Sequence, residues 1–256
     1  MFENYSEIFT KRGAAYHHAM AKYPEARSHE FKTVISYAKL FDGSTVADMP
    51  SGGGYCSAYL PQNVHLIAID ESQAFLEQGN ESSHGKKLCA KLNDTGLEDS
   101  SVDSVISIAG LHHITDKKSF FKEVMRILKP GGTLVIADAE EGSQTALFLD
   151  QFVSEYNSMG HSGLYLNNQC TQDLRDTGFT ITHKKTANYP WIFPNIPSMA
   201  DYCKLLFGLD KPCELKKLAD AISTYLKIEH CGDNILMHWS LLLIQAHKPR
   251  LSSPRD

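Results

Sequence analysis

Apolar positions change their period along the chain. Up to residue 42 they recur at helical spacing, first Tyr16, Met20 and Tyr23, then Phe31, Val34, Ile35 and Ala38, with Pro24 breaking the run. From Thr45 onward they come as short continuous runs: Val46-Ala47-Asp48-Met49, Val64 to Ile69, Lys87 to Ala90, Val102 to Ile108 and Thr133 to Asp138. Runs of this length, bounded by turn residues, read as buried strands. Helical patterns lie between them. One begins near Tyr55, and one begins at Ser72, a suitable N-cap. A third, over 116–128, turns Phe120, Phe121, Val124, Ile127 and Leu128 inward and has Lys117, Lys118, Lys122 and Arg126 as its polar face. Lys129-Pro130-Gly131-Gly132 then ends that helix, glycine supplying the left-handed cap.

Alternating strands and helices predict an α/β fold, a doubly wound and mostly parallel seven-stranded sheet. After residue 140 the rhythm changes. Helices are expected near 144–159 and 170–177, a strand over 179–183, helices near 197–207 and 212–226, and a last strand from Asn234 to His247. Tyr189-Pro190-Trp191-Ile192-Phe193-Pro194 is too rich in proline for a central strand. The chain divides into an N-terminal helical cap, residues 1–42, and an α/β domain, residues 43–256. The latter carries helical substrate-side insertions near 141–178 and 188–230. The tail from Lys248 is expected to fray.

Composition narrows the partners. The chain has 256 residues, 42% apolar and 21% charged, with a net charge of −5 and no long basic run, so a nucleic-acid footprint is missing. Six cysteines form no Cys-x-x-Cys pair and no Cys/His cluster with zinc spacing, so no metal site is expected. Neither a leader-like N-terminus nor an apolar stretch of membrane-spanning length is visible, which points to a cytoplasmic protein; a monomer or homodimer is expected. Asn80-Glu81-Ser82 and Asn93-Asp94-Thr95 match the glycosylation triplet, which carries no weight without a secretory signal.

The chemistry centres on Val46-Ala47-Asp48-Met49-Pro50-Ser51-Gly52-Gly53-Gly54-Tyr55. Strand, glycine loop, helix, second strand and terminal acid (Asp70-Glu71) describe a nucleotide-binding βαβ unit. Glycines let the backbone approach a ligand closely. Two nucleotides compete. Gly52-x-Gly54-x-x-Ser57, with Asp70 at the ribose position, approximates the dinucleotide fingerprint and would suit a NAD-dependent oxidoreductase.

The span from 45 to 138 resembles the class I S-adenosylmethionine-dependent methyltransferases of the small-molecule type. The resemblance rests on Val46-Ala47-Asp48 before the glycine loop, Asp99 to Val105, Gly110-Leu111-His112-His113 and Arg126 to Gly132, in the family's order and spacing. Pro50 stands where the family has its first glycine. The resemblance implies that Asp70 binds the ribose hydroxyls, with Glu71 beside it. It implies that Asp48 and Ser51 serve the loop or the methionine ammonium, that Gly52 and Gly54 lie against S-adenosylmethionine, and that Ala109 and Gly110 contact it near the sulfonium. The adenine-binding acid falls on Lys91, so Leu92 and Asn93 are expected to frame the adenine instead.

Methyl transfer needs a positioned nucleophile and, for some acceptors, a base. His112 and His113 sit where the pocket of such a sheet opens and are the candidate bases. Tyr16 and Arg12 would close a lid over the cofactor. Tyr189, Trp191 and Phe193 would wall the pocket for a small-molecule acceptor. His238 is expected to be a buried, satisfied histidine. The departures at Pro50 and Lys91 also allow a catalytically silent, methyltransferase-like binding or regulatory subunit.

Overall fold

A computed structural model describes residues 5–79 and 85–250, except the side chains of residues 5–8 and 10. The Asn80-Glu81-Ser82 triplet and the end of the tail lie outside the described residues. Helix α1 (Tyr5–Lys22) and helix α2 (Ser28–Ser36) precede strand β1 (Thr45–Asp48). Then come β2 (His65–Asp70), α3 (Gln73–Gln78), β3 (Gly85–Cys89), β4 (Val102–Ile108), α4 (Lys117–Ile127) and β5 (Leu128–Asp138). Beyond β5 lie α5 (Gln144–Leu147), a π-helical stretch (Phe148–Val153), α6 (Ser154–Tyr156) and α7 (Asn168–Asp176). The chain closes with β6 (Thr180–Phe193), α8 (Ile196–Leu206), α9 (Leu215–Leu226), β7 (Ile228–Cys231) and β8 (Asn234–His247).

The strands form one sheet in the order β3-β2-β1-β4-β5-β8-β6, with β7 also paired to β8. Strands β3, β2, β1, β4 and β5 are mutually parallel, while β8 is antiparallel to β5, β6 and β7. The central strands are buried on both faces, which is why they read as continuous apolar runs. One face packs Ala47, Val105, Leu134, Ile136 and Phe120 into a core under α4. The other carries Val46, Ile106, Val135 and the aromatic cluster of β6 and β8.

Several elements differ from expectation. Among the described residues the sheet has eight strands, because β7 forms a hairpin with β8 inside the segment expected to be a helical insertion. Strand β6 continues through Pro190 to Phe193. It lies at the sheet edge, where a missing proline N–H costs no ladder bond. The stretch at Tyr55 is a short 3-10 turn, Tyr55–Tyr59, entered from Gly54 at φ 75°. Three consecutive left-handed glycines leave the chain too tightly turned to start a longer helix. Helix α4 ends at Ile127 with an extended Leu128, so Pro130 and Gly131 belong to the entry of β5 rather than to a helix cap. His238 is partly exposed, held by Asn188 and Glu229, because alternation gives the core face to Trp239.

The N-terminal helices are built into the domain. The Ala26 carbonyl accepts from Ile192 N, extending contact from the α1–α2 turn to β6. The Ala38 carbonyl accepts from Ser104 Oγ of β4 at 2.6 Å. Phe31, Val34 and Ile35 of α2 are buried in the core of that sheet face.

Candidate functional site

Strands β1 and β4 end side by side, and the chain after each enters the same cavity. After β1, Ser51, Gly52 and Gly54 follow a cis Met49–Pro50 bond. After β4, Ala109 adopts φ 49°, a left-handed conformation uncommon for a residue with a Cβ and often stored at functional sites. The two turns touch closely: a Cβ on Gly110 would lie 2.5 Å from Pro50 Cγ. Pro50, where the chain departs from its resemblance, thus fixes the spacing of the two loops.

The cavity spans about 870 Å³ of space between the atoms, part of it open to solvent. Helix α1 roofs it with Arg12 and Tyr16, and Phe75 of α3 packs beneath, 5.2 Å from the Tyr16 ring. Its lining includes Asp48, Ser51 and Gly52 from the glycine loop, the histidines His112, His113 and His161, and the aromatic rings of Trp191, Phe207 and Trp239.

Polar groups along this lining are incompletely satisfied. Ser51 Oγ, Arg12 Nε and Trp239 Nε1 are buried and have no hydrogen-bond partner among the described residues. Burial pushes the Asp48 carboxyl up to about 8, against a hydrogen bond from Cys56 Sγ and with Asp70's charge adding to the rise. Burial also lowers Arg12 to about 10, opposed by Asp210. The Arg12 guanidinium donates to the Phe207 carbonyl. Arg27 is better supported. It forms a buried pair with Glu30 at 2.6 Å and donates to Tyr16 Oη at 3.2 Å, while Trp191 Nε1 donates to Glu30 at 2.7 Å.

Asp70 is fully buried and accepts from Gly52 N and Ser72 N, both at 3.1 Å. It ties the glycine loop to the second strand. Neither Asp70 nor Glu71, Leu92 or Asn93 lines the cavity; Glu71 accepts from Leu92 N at 3.1 Å, holding that loop instead. Of the aromatic candidates only Trp191 reaches the cavity. Phe193 packs on Tyr202 and Tyr23, and the Tyr189 hydroxyl is buried away from the cavity without a partner.

The histidines carry the most organised chemistry. His112 Nδ1 donates to Asp138 Oδ1 at 2.7 Å, and its backbone N–H donates to Oδ2 at 3.0 Å. Burial would raise Asp138, but His112 and two backbone amides hold its carboxyl below the ordinary range. His113 follows directly. His161 arrives from the loop after α6, which is pinned to the pocket by Leu164 N donating to the His112 carbonyl at 2.8 Å. Asp150, in the π-helical stretch, accepts from His161 Nδ1 at 3.1 Å, Gly163 N at 3.0 Å and Tyr165 Oη at 2.6 Å. Burial and the neighbouring histidines lower His113 well below the usual range, and burial lowers His161 although Asp150 opposes it.

Asp138, at the end of a strand, was visible in the sequence only as the close of an apolar run. His161 carried no local signal, and Arg27 in the helical cap and Trp239 in the last strand carried none that tied them to this cavity. Each is far in sequence from the glycine loop, and only the packing of α2, the α6–α7 loop and β8 brings it in.

Comparison with known proteins agrees with this architecture. Residues 47–136 match the family described as "Methyltransferase domain". A demethylmenaquinone methyltransferase of Clavibacter sepedonicus is 32% identical over 101 residues, 38% of this chain and 41% of that protein. A ubiquinone/menaquinone biosynthesis C-methyltransferase of Geotalea daltonii is 28% identical over 115 residues, 41% of this chain and 49% of that protein. The match thus spans less than half the length of either relative. Among solved structures, the methyltransferase in complex with the Haloferax volcanii Trm112 activator superposes with a TM-score of 0.69 at 18% identity, covering 97% of this chain and 99% of that one. Motif order, sheet order and sequence match converge on a methyltransferase domain over residues 47–136.

Proposed function

We propose that the protein transfers a methyl group from S-adenosylmethionine to a small, largely apolar acceptor carrying an ionisable group. One observation carries this reading: a single cavity joins the glycine loop and Asp48 to a histidine cluster and an aromatic wall. The residues suit the cofactor. Gly52 takes φ 56° at the wall, and the unpartnered Ser51 Oγ and the raised Asp48 carboxyl await a cationic or hydrogen-bonding group such as a methionine ammonium. Asp70, holding Gly52 N, sets the loop from which a ribose would be met.

When bound, S-adenosylmethionine supplies a methyl group on a sulfonium, ready for in-line displacement. His112 has its Nδ1–H fixed by Asp138, so Nε2 is the nitrogen that accepts the acceptor's proton. Trp191 and Trp239, stacked at 4.6 Å, present an apolar face to the acceptor's body and keep water out. Trp239 Nε1 offers it one donor. The apolar wall of the cavity favours an acceptor with an aromatic or other apolar body over a wholly polar metabolite. The net charge of −5 argues against nucleic acid, and no helix among the described residues is long and apolar enough to cross a membrane. We place the protein in the cytoplasm as a monomer or homodimer.

Calorimetry with S-adenosylmethionine and with NAD tests the cofactor. Micromolar binding of the former, lost in Asp70→Ala, is expected. Binding of NAD alone would make the protein an oxidoreductase. Cofactor binding without S-adenosylhomocysteine from any acceptor in a panel of quinols, phenols and thiols would favour the silent binding subunit.

A further inference from the structure

The histidine cluster has an arrangement that proton transfer alone does not require. One ring nitrogen from each of His112, His113 and His161 lies within 4.8 Å of one from each of the others. The rings are close, with centroids 4.1 Å apart for His112 and His113 and 5.5 Å from each to His161. Two of the three have a carboxylate on Nδ1: Asp138 on His112 and Asp150 on His161. A carboxylate on one ring nitrogen fixes the tautomer and leaves the other nitrogen to bind a metal, a pairing seen in most histidine metal sites. A base working alone needs one such carboxylate, not two on neighbouring rings.

The surroundings fit the same use. His112, His113 and His161 all line the cavity, so an ion there would keep an open position facing the acceptor. Asp150 lies in a π-helical stretch, a distortion frequent at functional sites. Its carboxylate is further held by Gly163 N and Tyr165 Oη, which orients it towards His161. A tetrahedral site with metal–nitrogen bonds near 2.0–2.1 Å has ligand edges of roughly 3.4 Å, so each nitrogen need move only about 0.8 Å inward.

We propose that His112, His113 and His161 bind one divalent transition-metal ion of the zinc class, with Asp138 and Asp150 as the carboxylates that orient its ligands. Metal binding itself is independent of the methyl-transfer reading; what the ion would do for the acceptor rests on it. In the loaded protein the ion takes the nitrogen that His112 otherwise uses as a base. An acceptor hydroxyl or thiol bound at the open position would lose its proton more readily, because the ion stabilises the resulting anion.

The test is Zn²⁺ titration of chelator-treated protein by calorimetry, with Co²⁺ absorption reporting the geometry. One ion per chain is expected, with visible Co²⁺ bands of tetrahedral strength. His161→Ala and His113→Ala should each weaken binding at least tenfold, and Asp150→Asn by about tenfold. His238→Ala, at the histidine held by Asn188 and Glu229, should leave it unchanged. Should His161→Ala fail to fold, judged by circular dichroism, His161→Gln serves in its place. Binding that survives the loss of His161 and His113, or no binding beyond that of the double variant, overturns the site. A protein that binds the ion as described but never methylates an acceptor keeps this site and loses the function proposed above.

Discussion

Asp138 holds His112 twice, through the ring Nδ1 at 2.7 Å and through the backbone N–H at 3.0 Å. The carboxylate thereby fixes both the position of the turn after β4 and the tautomer of the imidazole. Asp138→Asn preserves the shape but can no longer accept through both oxygens. Methyl transfer should fall about 100-fold or more, the usual range for losing an oriented base, while the dissociation constant for S-adenosylmethionine changes little. Single-turnover assays beside calorimetry separate the two effects. An equal loss of affinity and rate would make Asp138 a support of the fold alone.

Asp48 should make the protein's stability depend on pH in an unusual direction. Its folded pKa, about 8, lies above the ordinary 3.8, so the folded state holds this proton more tightly than the unfolded chain. Stability from this group therefore falls as pH rises from about 4 towards about 8 and levels above that. Urea melts across this range should show a slope that Asp48→Asn removes. The same substitution should weaken cofactor binding, since an amide offers no charge to an ammonium. Cofactor binding by the wild type should release a proton near pH 7, visible as a buffer-dependent heat.

Gly110 is required where it is because its backbone meets Pro50. An added Cβ would sit 2.5 Å from Pro50 Cγ, too close for either loop to keep its place. Gly110→Ala should cost about 1–3 kcal/mol, as overpacking does, and lower cofactor affinity by separating the two loops. Thermal melts of Gly110→Ala alone and combined with Pro50→Ala check this: the second change should restore part of the loss.

Glu30 ties the start of α2 to β6, pairing with Arg27 at 2.6 Å and accepting from Trp191 Nε1 at 2.7 Å. Glu30→Gln leaves the Arg27 guanidinium buried without its counter-charge and should cost about 3–5 kcal/mol. Trp191→Phe leaves only a carboxylate lone pair unfilled and should cost about 1–3 kcal/mol. Chemical denaturation measures both. The reverse order would mean that Trp191's packing outweighs the buried ion pair.

Local patterning carried the first half of the domain. The strand positions of β1, β2 and β4 were legible because strands buried on both faces must be apolar throughout, and a Ser72 cap needs only its own turn. Indeed Ser72 Oγ accepts from Phe75 N as the spacing implied. The motifs from Asp48 to Gly132 were legible for the same reason: close approach, sharp turns and strand ends constrain residue type locally. Where neighbours in space decide, the sequence was silent. Pro190 reads as a strand breaker until β6 is known to be an edge, and Tyr189 and Phe193 read like Trp191 until the core claims them.

By itself, then, the sequence determined the βαβ core, the glycine loop and the methyltransferase motifs between Asp48 and Gly132, because each rests on contacts among residues near in the chain. Tertiary structure alone decided the eighth strand, the hydrogen bond of Asp70 to the glycine loop, and the meeting of His112 and His113 with His161. Those depend on long-range packing of α1, β8 and the α6–α7 loop, whose cost and gain are set by neighbours that no local pattern encodes.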